Sequence, residues 1–294
     1  MAVAAVIGGA GRMGSWLVDF LSKNGYQVIV TDKNRPAAKR LARVHDFRYI
    51  SDQTTAIQMA QLVVLATPTH ITQRILQSLE RDTSKDKLFI EISSIKEPLR
   101  PVLRDMKRRG LSVLSIHPLF GPGAETVRGR TILVMPLARR MLWADSFLRK
   151  LRRNGAKLVR CDINEHDKLM SLVLTLPHFL AIAFVNALKS LDADVNRLSK
   201  IAGPTFRLQL LLAEEVHHEG LDNEVSVLMD SPYSVATLKK AAQACNRMIT
   251  MIARGNRRRM HRTLRAGRNY LQRDKLFSNA YSRFSEAVSA ATLD

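Results

Sequence analysis

The feature that most constrains this chain is the run Gly9-Ala10-Gly11-Arg12-Met13-Gly14. It lies between an apolar strand-like segment, Val3–Ile7, and an amphipathic stretch, Met13–Asn24, that stops at Gly25. Glycines at this spacing, leaving a buried strand and opening a helix, make a loop for a dinucleotide pyrophosphate. Gly9 permits the tight turn, Gly11 lets the backbone approach the phosphates, and Gly14 lets helix and strand pack closely. The helix N-terminus supplies unpaired N–H groups and a positive dipole end. A second strand, Gln27–Thr31, leads to Asp32, eighteen residues after Gly14. An acid there binds a ribose 2′-hydroxyl and repels a 2′-phosphate, which favours NAD over NADP. Lys33 and Arg35 stand beside it and temper that preference.

Apolar runs continue to alternate with amphipathic stretches as far as residue 162. Further strands are expected at Leu62–Ala66, Leu88–Ile92, Ser112–Ser115, Thr131–Met135 and Lys157–Arg160. They are short and rich in Val, Ile and Leu, as in a parallel sheet covered on both faces. Beyond Asp162 the strand signal disappears. Glu165–Ser190 reads as one long, largely apolar helix whose pattern breaks at Pro177, and further helical segments follow. The expected architecture is a Rossmann-type α/β domain over residues 1–162, then an all-α domain over 163–294.

Composition excludes some classes. Only Cys161 and Cys245 are present and no CxxC occurs, so neither a disulfide framework nor a thiolate metal site is expected. The eight histidines show no HExxH pairing, and no metal is expected. No apolar run is read as approaching the roughly 18 residues that span a bilayer, and Val3–Ile7 leaves no room for a leader, so a cytoplasmic protein without membrane contact is expected. The net charge is +20, and between Lys239 and Lys275 twelve basic residues face a single acid, Asp274. Such a field concentrates anions of any kind, from nucleotides and dicarboxylates to nucleic acid, and by itself names no partner.

The next informative segment is Ser115-Ile116-His117-Pro118-Leu119-Phe120-Gly121-Pro122. A histidine at the carboxyl end of a strand lies where sheets of this type place their ligands, here in a loop stiffened by Pro118. Its imidazole can take a hydroxyl proton while hydride leaves the same carbon. Ser93-Ser94-Ile95-Lys96 and Thr67-Pro68-Thr69-His70 follow two other strands and converge on the same edge. Arg207 sits in the apolar stretch Phe206–Ala213, where an unpaired guanidinium is costly. His166, between Glu165 and Asp167, reads as an ion-paired helix-start residue, and His217, His218 and His261 as solvated positions.

These residues together resemble the prephenate dehydrogenase family along nearly the whole chain. The marks are Gly8–Gly14, Thr67–Thr72, Ser94-Ile95-Lys96, His117–Pro122, Glu165-His166-Asp167, Leu176-Pro177-His178-Phe179 and Phe206–Leu210. The glycine loop is common to many dehydrogenases; the His-Pro-x-x-Gly segment with the later Pro-His and Phe-Arg-Leu segments is more specific. The resemblance implies NAD-dependent oxidative decarboxylation of prephenate in tyrosine biosynthesis by a homodimer, with the all-α domain over 163–294 binding substrate and forming the dimer. It implies His117 as catalytic base, Ser94 as its polar partner, Arg207 on a substrate carboxylate and His178 lining the substrate site. Gly9, Gly11, Arg12, Met13, Gly14, Asp32, Thr67 and Pro68 would bind the cofactor. The alternatives are an arogenate or cyclohexadienyl dehydrogenase, or a non-catalytic dinucleotide sensor that binds nucleic acid. Arg254 and Arg257–Arg259 are expected to face solvent or ligand, because like charges across a two-fold axis repel.

Overall fold

In the computed structural model, residues 1–45, 47–80, 86–137, 142–218 and 220–291 are described. The chain divides into two compact units, Met1–Asp167 and Lys168–Asp294.

The first unit is built on eight strands. They are β1 (Val3–Ile7), β2 (Gln27–Thr31), β3 (Arg48–Tyr49), β4 (Leu62–Leu65), β5 (Leu88–Glu91), β6 (Ser112–Pro118), β7 (Thr131–Pro136) and β8 (Lys157–Arg160). They form one sheet in the order β3-β2-β1-β4-β5-β6-β7-β8. Alternate residues of each central strand enter opposite cores. Val6, Val64 and Ile90 pack on one face with Leu17, Val18 and Leu21 of helix α1 (Arg12–Lys23). Ile7, Leu65 and Phe89 pack on the other with Leu99, Leu103 and Met106. Burial on both faces is why these strands read as continuous Val/Ile/Leu runs.

Three details differ from the sequence expectation. β3 is only two residues long, Arg48 and Tyr49, and neither is buried, so no apolar alternation marks it. β6 runs on to Pro118, so His117 belongs to a strand, opposite Leu133 of β7, and not to a loop. The sheet is also not wholly parallel, since β7 pairs antiparallel with β6. Residues 119–130 contain no helix to carry the chain back across the sheet, and without a crossover a neighbouring strand must run the opposite way. The helix Leu142–Arg153 then restores a parallel crossover to β8.

The second unit is helical. A helical run continues from Ile163 to Ser190, with a π-turn at Ser171–Thr175 just before Pro177. Proline has no N–H to donate and crowds the preceding turn; the widened turn accommodates it without breaking the helix. This run corrects the expectation on apolar length: by length and composition it could cross a membrane, with a window of mean hydropathy 1.8. No Asp, Glu, Lys or Arg interrupts it from Leu169 to Leu188, and the polar residues in between had masked its length. Two of those polar residues are engaged within the unit: Thr175 Oγ1 donates to Val227 O at 3.0 Å and His178 pairs with Glu224. Further helices are Pro204–His218, Leu221–Met229, Ser234–Ala253, Arg257–Leu271 and Ala280–Ala291. Ala181 of the long run packs with Ala213 and Val216 of Pro204–His218 in one buried cluster, and large apolar side chains such as Ile249, Ile252, Leu264 and Tyr281 are exposed.

Candidate active site

β1, β4, β5 and β6 are mutually parallel, with Ile7, Leu65, Glu91 and Ser115 in register. Their carboxyl ends therefore lie along one edge. The glycine loop leaves β1 there, Thr67 and Pro68 follow β4, Ser94 follows β5, and His117 lies two residues beyond the register line on β6. Three inter-strand spacings of about 4.8 Å separate β1 from β6, roughly 14 Å, which a ligand lying along the edge would span.

The glycine loop is shaped by close approach. Gly8 has φ +81°, and a Cβ on it would fall 2.5 Å from Ala66 O. A Cβ on Gly14 would fall 2.0 Å from Gly8 O, so only glycine lets α1 start this close to β1. Gly11 caps α1 without a side-chain hydrogen bond, and no acid occupies the first turn. The N–H groups of Arg12, Met13 and Gly14 thus sit at a positive helix end with no intrahelical acceptor. Asp32 follows β2 and accepts Ala10 N at 3.0 Å through Oδ2 and Asn34 N at 2.8 Å through Oδ1. It ties the end of β2 to the loop, and each oxygen retains a lone pair for a hydroxyl. Thr67 Oγ1 pairs with Thr72 Oγ1 at 2.8 Å, fixing the turn that abuts Gly8. Trp16 of α1 donates to Ala124 O at 2.6 Å and packs edge-on against Phe120, pinning the segment after His117 beside the glycine-loop helix.

His117 is 4% exposed. Its Nδ1 lies 3.0 Å from Nε2 of His166, whose own Nδ1 lies 2.6 Å from Asp167 Oδ1. His166 pairs with Asp167 near the start of the helix Ile163–Met170, as the sequence suggests, but both are buried and His166 also faces His117. Backbone N–H groups of Lys96 and Glu97 donate to the Asp167 carboxylate at 2.9 and 2.7 Å. Below His117 lies a fully buried ion pair. Lys96 Nζ donates to Glu91 Oε1 at 2.7 Å and to Ile116 O at 2.8 Å. Glu91 also accepts Ser115 Oγ, and Ser93 N at 2.9 Å.

These contacts set the protonation states. Burial, then the Lys96 cation, then His166, push the His117 pKa well below the ordinary histidine value. Burial also lowers His166, against the opposing pull of its hydrogen bond to Asp167. Burial acts to raise Asp167, but hydrogen bonds from His166 and from the Lys96 and Glu97 backbone prevail and hold it below the ordinary carboxylate value. Lys96 is lowered by burial in spite of Glu91. His117 is therefore a neutral imidazole at pH 7, able to accept a proton.

The sequence-chosen residues divide between the units. Gly9–Gly14, Asp32, Thr67, Pro68, Ser94 and His117 all lie at the strand-end edge of the first. Arg207 and His178 lie in the second. Arg207 is exposed on the helix Pro204–His218, so the cost of burying a guanidinium does not apply within its unit. His178 Nδ1 lies 2.7 Å from Oε2 of the buried Glu224. Arg254, Arg257, Arg258 and Arg259 are exposed. Sequence reasoning missed Glu91, Ser115 and Glu224, and assigned no role to Lys96 or Asp167. One signal was available: a Glu closing the apolar run Leu88–Ile90 is costly unless paired, and Lys96 is five residues on.

Residues 18–132 match the model for the prephenate dehydrogenase nucleotide-binding domain, and residues 162–266 match that for the prephenate dehydrogenase dimerization domain. The chain belongs to the prephenate dehydrogenase family. A probable arogenate/prephenate dehydrogenase of Methanocaldococcus jannaschii is 26% identical over 208 residues, covering 70% of this chain and 47% of that protein. The T-protein of Enterobacter agglomerans is 25% identical over 253 residues, covering 86% and 63%. The chain thus spans about half to two thirds of the length of these curated relatives. Among solved structures, Aquifex aeolicus prephenate dehydrogenase in complex with hydroxyphenyl propionate and NAD+ superposes with a TM-score of 0.72 at 15% identity. That match covers 93% of this chain and 99% of the other, and shows the shared fold.

Proposed function

We propose that this chain is an NAD-dependent prephenate dehydrogenase. The observation that carries the reading is a buried, neutral His117 at the same strand-end edge as a glycine loop that no residue larger than glycine could form. The loop N–H groups of Arg12, Met13 and Gly14 would hold the pyrophosphate, and Asp32 the adenosine ribose. The bound nicotinamide supplies a hydride acceptor. His117 takes the hydroxyl proton of the substrate as its carbinol carbon loses hydride and becomes a ketone. The electrons of the ring-carbon–carboxylate bond then flow into the ring, carbon dioxide leaves, and the proton returns from His117 to the new phenol oxygen. The balance is prephenate and NAD+ to 4-hydroxyphenylpyruvate, carbon dioxide and NADH. Ser94 is assigned to the substrate hydroxyl, Arg207 to a substrate carboxylate, where a planar fork is suited, and His178 to the substrate side chain.

One observation favours a second reading, arogenate as substrate. Glu224 is 5% exposed, bonds His178 through Oε2, and its Oε1 has no hydrogen-bond partner among the described residues. A buried carboxylate oxygen lacking a donor is the group that an ammonium would satisfy. The test is NADH formation at 340 nm with prephenate and with L-arogenate, each with NAD and with NADP. Turnover of prephenate with NAD is expected; a kcat/KM higher for arogenate selects the second reading, and no turnover in any combination refutes both.

We also infer a homodimer formed through the second unit, where a second copy would cover the exposed Ile249, Ile252 and Leu264. Sedimentation equilibrium of the full chain should give twice the chain mass; a monomer at micromolar concentration refutes it.

A further inference from the structure

The hydrogen bonds running from Asp167 to His117 define where each proton sits. Asp167 is clamped by two backbone donors, Lys96 N at 2.9 Å to Oδ1 and Glu97 N at 2.7 Å to Oδ2. An ionised carboxylate only accepts, so the proton between it and His166 belongs to His166 Nδ1, 2.6 Å away. A neutral imidazole carries one proton, which leaves His166 Nε2 as a lone pair. That lone pair faces His117 Nδ1 at 3.0 Å, so His117 Nδ1 must carry the hydrogen. The remaining nitrogen, His117 Nε2, is then the lone pair, and it makes no hydrogen bond among the described residues.

We propose that Asp167 and His166 are positioning residues that hold His117 in its Nδ1–H tautomer, so that Nε2 is the atom that accepts the substrate proton. When His117 takes a proton at Nε2 it becomes an imidazolium with two N–H groups. Its Nδ1–H then bonds the His166 lone pair, and the Asp167 carboxylate one ring further on offsets the new positive charge. The direct contact needed for catalysis stays with His117; Asp167 and His166 act only through it. The identity of the proton donor rests on the proposed function, whereas the tautomer does not.

Two measurements test this. Long-range proton–nitrogen correlation spectra of the 15N-histidine-labelled full chain at pH 7.5 should show His117 and His166 both protonated at Nδ1. Protonation of His117 at Nε2 overturns the proposal. In Asp167→Asn, the amide oxygen takes the Oδ2 position, where Glu97 N at 2.7 Å and Lys96 N at 3.2 Å donate to it, and the NH2 takes the Oδ1 position facing His166. That reverses every proton in the series and leaves His117 with Nε2–H. The expected result is a kcat lower by roughly 100-fold or more, within the range that a general base contributes. KM for NAD should change less than about threefold, and the His117 spectrum should switch tautomer. A kcat within threefold of wild type with an unswitched spectrum overturns the proposal. If Asp167→Asn does not fold, the wild-type spectrum still decides. If neither substrate turns over, the proposed function fails while the tautomer measurement stands.

Discussion

Replacing Lys96 by Met isolates the ion pair beneath His117. Both Lys96 and Glu91 are fully buried, 2.7 Å apart. Removing the cation leaves the Glu91 carboxylate with Ser115 Oγ and Ser93 N as donors but without a counter-charge. Breaking a buried pair from one side costs about 3–5 kcal/mol, because the surviving charge is uncompensated. For a unit of this size each kcal/mol moves Tm by about 2–4 °C, so a fall of roughly 6–20 °C is expected. The physical origin is separable from lost packing by adding Glu91→Gln. The amide keeps hydrogen-bonding capacity and removes the orphaned charge, so the double variant should recover at least about half of the loss in Tm. The assay is scanning calorimetry of wild type, both single variants and the double at one pH and salt. A Lys96→Met loss under about 3 °C, or a double variant no more stable than Lys96→Met, would refute the argument that charge compensation governs this site.

Two other outcomes follow from the geometry. The pKa of His117 is depressed in the folded state, so the unfolded chain binds more protons below about pH 6.5 and stability falls as pH drops through that value. As pH falls below about 6.5 this group takes away stability progressively by proton linkage, and His117→Asn should remove that share in urea titrations; an equal acid sensitivity in both proteins would contradict it. Gly14→Ala would place a methyl 2.0 Å from Gly8 O, a backbone atom that cannot step aside. NADH binding by fluorescence titration should be lost, and wild-type affinity in that variant would show that the loop is not the dinucleotide cradle.

Sequence alone determined the frame. The unbroken Val/Ile/Leu runs called for a sheet covered on both faces, and Gly9–Gly14 with Asp32 placed a phosphate loop at its first strand, because local geometry admits little else there. His117 stood out for the same reason, as a titratable residue closing a buried strand. What the sequence could not determine was which distant groups meet. His166 is 49 residues from His117 and Asp167 is 71 from Lys96, so neither pairing has a periodic signature, and a charged triplet at a helix start looks the same whether solvated or buried. The antiparallel β7 escaped notice because strand composition does not encode direction; the missing crossover helix does. Arg207 shows the converse: its apolar neighbours in sequence do not bury it within its own unit. Tertiary packing decided these points because a proton's position depends on which acceptor lies within about 3 Å, and that distance is set only once the sheet edge has closed around Lys96.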